Sequence, residues 1–175
     1  ASRFDPDLIA EEQVEGHSYR LLFLDGRFID AIRRDPPRVT GDGRRTIAAL
    51  VAAENRKRLE TRPFTALSPL CLDRDARLYL SAQILSARSV LEDGETVIVK
   101  RATNENTSAQ NAVVRDAVHH GTIADCARLV TVLGVRFAGI DILARNIALP
   151  LTRDNGLISE INTTPGLHHH DLVAS

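Results

Sequence analysis

The chain has no tryptophan and no methionine, and its 175 residues include only five phenylalanines and two tyrosines. Its core must therefore be built from Leu, Ile, Val and Ala, and base-stacking platforms for single-stranded nucleic acid are poorly supplied. Neither sign of charge prevails, because 22 Lys and Arg face 23 Asp and Glu for a formal net charge of -1. That balance gives no whole-chain pull toward nucleic acid or an anionic membrane. Apolar runs fall far short of the ~20 residues of a spanning helix. The two cysteines, Cys71 and Cys126, are too distant for a short metal knuckle and read as buried, reduced thiols. These absences point to a cytoplasmic setting and leave local clusters of charge to carry any function.

The length suffices to bury roughly two thirds of the unfolded surface, so residues 1–175 read as one unit. The chain opens on Ala1 rather than Met, as an excised piece or processed product would. Residues 8–14 read as a short strand or connector. Residues 19–24 and 27–32 read as a hairpin, with Asp25-Gly26 supplying its turn. The segment 36–43 reads as an ordered loop, since Pro36 and Pro37 force extended backbone. Thr46 caps a helix through about residue 59 with Ile47, Leu50 and Val51 on its apolar face, and Asp73 caps another through Ala82, although short strands also fit parts of that second run. A strand over 95–100 and a polar loop through Asn111 follow. Thr122 then precedes an amphipathic helix that Gly134 stops. No repeat or long flexible linker interrupts the pattern.

The chemistry concentrates near the end. A strand over 156–163 has a period of two, which sends Glu160 and Asn162 to one face, and a neighbouring strand over 138–143 brings Asp141 beside them. Two carboxylates and an amide oxygen are hard ligands that suit Mg²⁺ and leave room for polyphosphate oxygens. Any one of these residues alone would read as a solvated surface charge. Glu160, however, stands within Leu157-Ile158-Ser159-Glu160-Ile161, where a charge needs a partner. A second cluster joins Arg20, Arg33 and Arg34 to Gly41-Asp42-Gly43-Arg44-Arg45. It combines guanidinium forks with a glycine turn before a helix, a chemistry that fits phosphate, although strand-end arginines are ordinarily solvated. The glycine spacing is neither that of a P-loop nor that of a dinucleotide fingerprint. His168, His169 and His170 alternate on extended backbone and read as a site edge rather than a chelate.

These segments resemble, in order, the carboxy-terminal part of an ATP-grasp ligase, most closely the modules of cyanophycin synthetases and bifunctional glutathione synthetases. The resemblance runs from Glu11 to His170 and rests on Glu11-Glu12-Gln13-Val14-Glu15-Gly16, Tyr19-Arg20-Leu21-Leu22, Arg33 through Gly43, Gly139-Ile140-Asp141 and Glu160 through Gly166. It implies an α+β fold: an ATP-grasp carboxy-terminal subdomain with an antiparallel sheet and packed helices, only part of a complete ATP-grasp domain. It implies ATP and Mg²⁺ as cofactors, with Asp141, Glu160 and Asn162 on the metal. Glu11, Glu12, Val14 and Leu143 would lie at the nucleotide base, and Arg20, Arg33, Arg34 and Lys100 in the ligase centre. The implied reaction joins an amino-acid or peptide-like carboxylate to an amine through an acylphosphate, with an amino-terminal ATP-grasp region as a missing partner. The alternative is a non-catalytic nucleotide-binding or assembly fragment of the same fold. The chain departs from the pattern at Ser18, where such ligases often carry a ribose-binding acid, and over 104–111, where a glycine pair is absent.

Overall fold

The computed structural model describes residues 12–62, 66 and 68–174, with the side chains of His169 and Ala174 excepted. Its larger layer is a five-stranded antiparallel sheet of β1 (His17–Leu24), β2 (Arg27–Arg34), β5 (Asn111–Val113), β6 (Phe137–Ala144) and β7 (Gly156–Asn162), in the order β5-β2-β1-β6-β7. The smaller layer pairs β3 (Arg38–Thr40) with β4 (Thr96–Ile98) and packs α1 (Ile47–Glu60) and α2 (Arg74–Ala82) around them. Helices α3 (His120–Val132) and α4 (His168–Ala174) belong to the larger layer.

The hairpin forms as its turn chemistry dictates. Asp25 and Gly26 both take positive φ, 47° and 75°, the backbone that matches the twist of the flanking strands. Alternation along β1 buries Tyr19, Leu21 and Phe23 against Ile140 and Ile142 of β6 and Cys126 and Val130 of α3. Fully burying one such large apolar side chain contributes about 1.5–3 kcal/mol, so this sandwich of sheet and α3 is a substantial source of stability. In the smaller layer Ile47, Leu50 and Val51 of α1 meet Ala76 and Leu80 of α2 and Val97 of β4, forming a separate core. Thr46 accepts a hydrogen bond from the Ala49 amide and Asp73 one from the Ala76 amide, so both expected caps start their helices.

Several boundaries differ from the sequence reading. Residues 38–40, expected as loop, form β3 because Val39 is buried in register with Val97. Asn111, expected at the end of a loop, begins β5 and pairs with Arg34. The third helix starts before Thr122. His119 Nδ1 accepts the Gly121 amide at 3.1 Å, and its ring lies over a first turn where a side chain at 121 would crowd it. Cys71 is exposed, and only Cys126 is buried. Residues 12–14 have no regular structure, while residues 8–11 of that segment lie outside the described residues. Among the described residues no helix is long and apolar enough to cross a membrane.

Candidate functional site: a polar sheet face and its cleft

The face of the sheet opposite α3 carries the charged residues in rows, because residues directly opposite in antiparallel strands point the same way. One row runs Arg34, Ser18, Leu143, Leu157; the next Ile32, Arg20, Asp141, Glu160; the third Asp30, Leu22, Gly139, Asn162. Asp141 and Glu160 are thus immediate cross-strand neighbours, and Asn162 is one row away on the same face. The register depends on a bulge. β6 and β7 slip between Asp141 and Ile142, so Asp141 opposes Glu160 while Ile142 opposes Ile158, leaving Ser159 as the extra residue. Ser159 Oγ donates to the Asp141 carbonyl at 3.2 Å. Uninterrupted alternation would have put Glu160 on the same face as Ile158, in the core. The bulge re-aims it toward Asp141.

Arginines gather on the carboxylate. Arg20 grips Asp141 through both Nε and Nη2, and Arg34 Nη2 reaches Asp141 Oδ2 at 3.2 Å and donates to Ser18 Oγ at 2.8 Å. Burial pulls the Arg34 guanidinium below its ordinary value, with Asp141 and Glu160 pulling it back up, and the group stays charged. Arg34 Nε and Asn162 Nδ2 are buried with no hydrogen-bond partner. Orphaned polar atoms of this kind are uncommon in a finished interior and mark a surface prepared for something polar. Among the described residues no three His, Cys, Asp or Glu side chains converge on a metal position. The candidate oxygen set is two carboxylates with Asn162 as the third member, and its hard chemistry fits Mg²⁺.

The other arginine and the lysine part from this cluster. Arg33 is opposite Tyr19, so alternation turns it to the other face, where Asp35 holds it bidentately at 2.8 and 3.0 Å. Those hydrogen bonds raise its pKa. Lys100 is buried in the smaller layer and donates to Asp73 at 2.7 Å and Glu105 at 2.9 Å. Neither is brought beside Asp141.

A cleft of about 540 Å³ opens between the layers, lined on one side by Ser18, Arg34 and Leu143 and on the other by Tyr79, Ile98 and Arg101, with Val14 at its edge. It adjoins the first row, and the apolar Leu143 and Val14, both expected at a nucleotide base, line it together. Glu12 instead lines a separate hollow of about 810 Å³ with Arg145 and Asn155, and Glu11 lies outside the described residues.

No local chemistry announces the return of the chain over the third row. After Asn162 the backbone crosses Gly139, where an added Cβ would stand 2.7 Å from Pro165 Cβ and 3.0 Å from Arg20 Cδ. It then delivers α4 against β2 and β5, and His170 Nδ1 lies 2.6 Å from Asp30 Oδ2. The one signal available was the Pro165-Gly166 stop followed by polar residues. Nothing in it specified which strand the tail would reach.

No protein-family model matches the chain. The crystal structure of a bifunctional glutathione synthetase from Pasteurella multocida shares its fold at a TM-score of 0.65 and 21% identity, over 91% of this chain and 22% of that one. The fold class is accordingly the mixed, antiparallel-sheet architecture of an ATP-grasp glutathione synthetase. Among curated proteins, its homologues are cyanophycin synthetases and bifunctional glutathione biosynthesis proteins. It is 30% identical to cyanophycin synthetase of Synechocystis sp. over 93% of its own length, which is 19% of that protein. It is also 30% identical to the glutathione biosynthesis bifunctional protein GshAB of Enterococcus faecalis, over 97% of this chain and 23% of the relative. The chain therefore spans about a fifth of the length of the relatives it matches.

Proposed function

We propose that the chain is part of an ATP-dependent ligase that joins a carboxylate to an amine through an acylphosphate, and that residues 1–175 supply one side of an ATP-grasp nucleotide site. The observation that carries this reading is the Arg20-Asp141-Glu160 row, assembled from three strands and completed by the Ser159 bulge. Asp141, Glu160 and Asn162 would hold Mg²⁺. Bound there, the ion neutralises phosphate charge and polarises the transferring phosphoryl group. Arg20 and Arg34 are fork-shaped donors suited to phosphate or carboxylate oxygens. Leu143 and the segment at Val14 would flank the base, while Ser18, already bonded to Arg34, offers a hydroxyl rather than a carboxylate to the ribose.

The task of these groups is alignment. The carboxylate oxygen attacks the γ-phosphorus, and ADP leaves. The amine then attacks the acyl carbon, and phosphate leaves. No covalent enzyme nucleophile is needed. Amino-acid or peptide-like substrates are the class the named relatives suggest. Turnover would require a second nucleotide-clamping region outside residues 1–175.

A second reading, a nucleotide-binding or assembly module without turnover, draws on the closure of Asp141 by two arginines. Calorimetry with MgATP tests the nucleotide site, and Asn162→Ala should weaken binding by roughly tenfold, the ~1.4 kcal/mol worth of one good polar contact. Equal affinities would remove Asn162 from the ligand set. Phosphate release and hydroxamate formation from L-aspartate or L-glutamate with ATP and hydroxylamine, measured on a protein that joins residues 1–175 to that second clamping region, test the chemistry. Nucleotide binding without either product would leave the second reading standing.

A further inference from the structure

Asp141 is 6% exposed, and both of its carboxylate oxygens are engaged by arginine. Arg20 takes Oδ1 through Nε and Oδ2 through Nη2, the latter at 2.7 Å, and Arg34 Nη2 stands 3.2 Å from the same Oδ2. Glu160, its cross-strand neighbour, is exposed, and its carboxylate has no hydrogen bond among the described residues. Two guanidinium groups and two carboxylates therefore balance within this part of the sheet face. A lone dication would add its whole charge to a neutral cluster and would find only Glu160 open, and the pull of one carboxylate in water is small. Drawing Arg20 away from Asp141 without replacement would strand a guanidinium that is 17% exposed beside a second one.

The adjoining cleft favours an anion. Its acids, Asp35 and Glu15, are already paired with Arg33 and Arg145. Arg38 and Arg101 line it with no acidic partner among the described residues, Arg101 lying 5.7 Å from the centre of the Tyr79 ring. The surplus positive charge of the cleft complements an ionised polyphosphate that carries one divalent cation. An arginine fork meets phosphate as it meets carboxylate, through paired N–H donors. A polyphosphate along the sheet face can thus take Arg20 in exchange for Asp141, and the freed Asp141 oxygens then face a cation beside Glu160.

We infer that Arg20 gates the metal site of the ligase reading proposed above, closing Asp141 to a free divalent cation and releasing it to one that arrives with a polyphosphate. The inference rests on that reading and adds an order to it: the anion must engage Arg20 before Asp141 can hold the metal. Arg20 acts here as a positioning residue, through the carboxylate it holds or lets go. The concentration of free Mg²⁺ alone does not charge such a site.

Paramagnetic broadening tests the gate without any need for turnover. Mn²⁺, which shares the preference of Mg²⁺ for hard oxygen ligands, is titrated into the ¹⁵N-labelled chain with and without tripolyphosphate. The amide resonances of Asp141, Glu160 and Asn162 should be unaffected by Mn²⁺ alone and broadened once tripolyphosphate is added. Arg20→Gln, which cannot fork the carboxylate, should broaden with Mn²⁺ alone at a concentration about tenfold or more below that needed by the parent, the size of effect one neighbouring charge has on a carboxylate. The dispersion of its amide spectrum reports whether the variant has folded, and the two parent samples decide the matter if it has not. Broadening of the parent by Mn²⁺ alone, none on adding tripolyphosphate, or no gain in folded Arg20→Gln would each overturn the gate while leaving the metal site in place. No broadening in any sample would remove Asp141 and Glu160 from a metal site altogether, and this inference with them.

Discussion

In the larger layer the charged residues stand on a sheet face and leave bonding capacity over; in the smaller layer most of the buried charge is taken up by neighbours. Lys100 spends its hydrogen bonds on Asp73 and Glu105, while Asp73 also caps α2 and Glu105 also accepts the Cys71 amide. Arg58 likewise binds Glu54 and the carbonyls of Ser68 and Glu105, although its Nη2 is unpartnered. These charges join helices to loops. Across the cleft, Arg34 Nε, Asn162 Nδ2 and His170 Nε2 are all buried and unmatched. The lesson is that burial of a charge does not by itself mark a site. What distinguishes Arg34 from Lys100 is bonding capacity left over on a surface that faces a cleft.

The sharpest way to break this comparison is to hollow out each core separately. Ile140→Ala should cost about 3–4 kcal/mol and Leu80→Ala about 2–4 kcal/mol, the range for large apolar side chains cut to a methyl group. Denaturant melts give the totals. Hydrogen exchange should show Leu80→Ala loosening α1, α2 and β4 while β1 and β6 stay protected. Equal loosening everywhere would mean one core rather than two.

Asp141→Ala tests the larger layer's charges. It strands Arg20 and Arg34, which are 17% and 16% exposed, and should cost about 2–3 kcal/mol, below the figure for a fully buried pair. MgATP binding should fall with it. A variant as stable as the parent would show the arginines already turned to solvent.

Lys100→Met tests the smaller layer and should lower stability by about 1–2 kcal/mol with no effect on MgATP affinity, since Asp73 is half exposed and loses little. Burial opposes the Lys100 charge, but hydrogen bonds to Asp73 and Glu105 outweigh it and raise the pKa above 10.5. Its contribution is therefore complete below pH 10.5 and lost as pH climbs through the raised value. Asp73 runs the other way. The Ala76 amide, then Lys100, lowers its pKa, so its support holds above pH 3.8 and fades in acid. An alkaline limb to the melting temperature that persists in Lys100→Met would reject the first assignment.

Thiol labelling and one titration give the smallest effects. Cys71 should react promptly with iodoacetamide and Cys126 only on unfolding, because burial pushes the Cys126 thiol up to about 12. Two fast thiols would show that α3 opens readily. Asp42 is held at about 2 by the Arg45 amide and side chain and the Arg44 amide, so its carboxyl resonance should titrate below pH 3 and its turn should weaken only there.

Much of this arrangement is legible where local chemistry decides it. The Asp25-Gly26 turn and the Thr46 and Asp73 caps follow from turn and cap residues, and the shared face of Glu160 and Asn162 from strand period, whereas the pairing of Asp141 with Glu160 needs the bulge. The bulge at Ser159 is not legible in this way, because it exists only in the register of two strands. Arg33 and Arg34 read as one basic cluster by proximity along the chain, yet strand period alone sends neighbours to opposite faces. The His170-Asp30 contact joins residues 140 apart in sequence, and only the crossing at Gly139 determines it.

The pairing of β1 with β6 brings Arg20 to Asp141 across a sequence separation of 121. The hairpin of β1 and β2 closes over two residues and can form within microseconds, but one flank of β1 has no strand to pair with until β6 arrives. A chain emerging from the ribosome would therefore hold an open sheet edge through the synthesis of the whole smaller layer. Closing so long a loop is slow compared with closing the hairpin, so the polar face should be the last part of the molecule to become native. The elements made during that wait, α1, α2 and the β3–β4 pair, are those with a core of their own, and they can fold first while the sheet beside them is still incomplete.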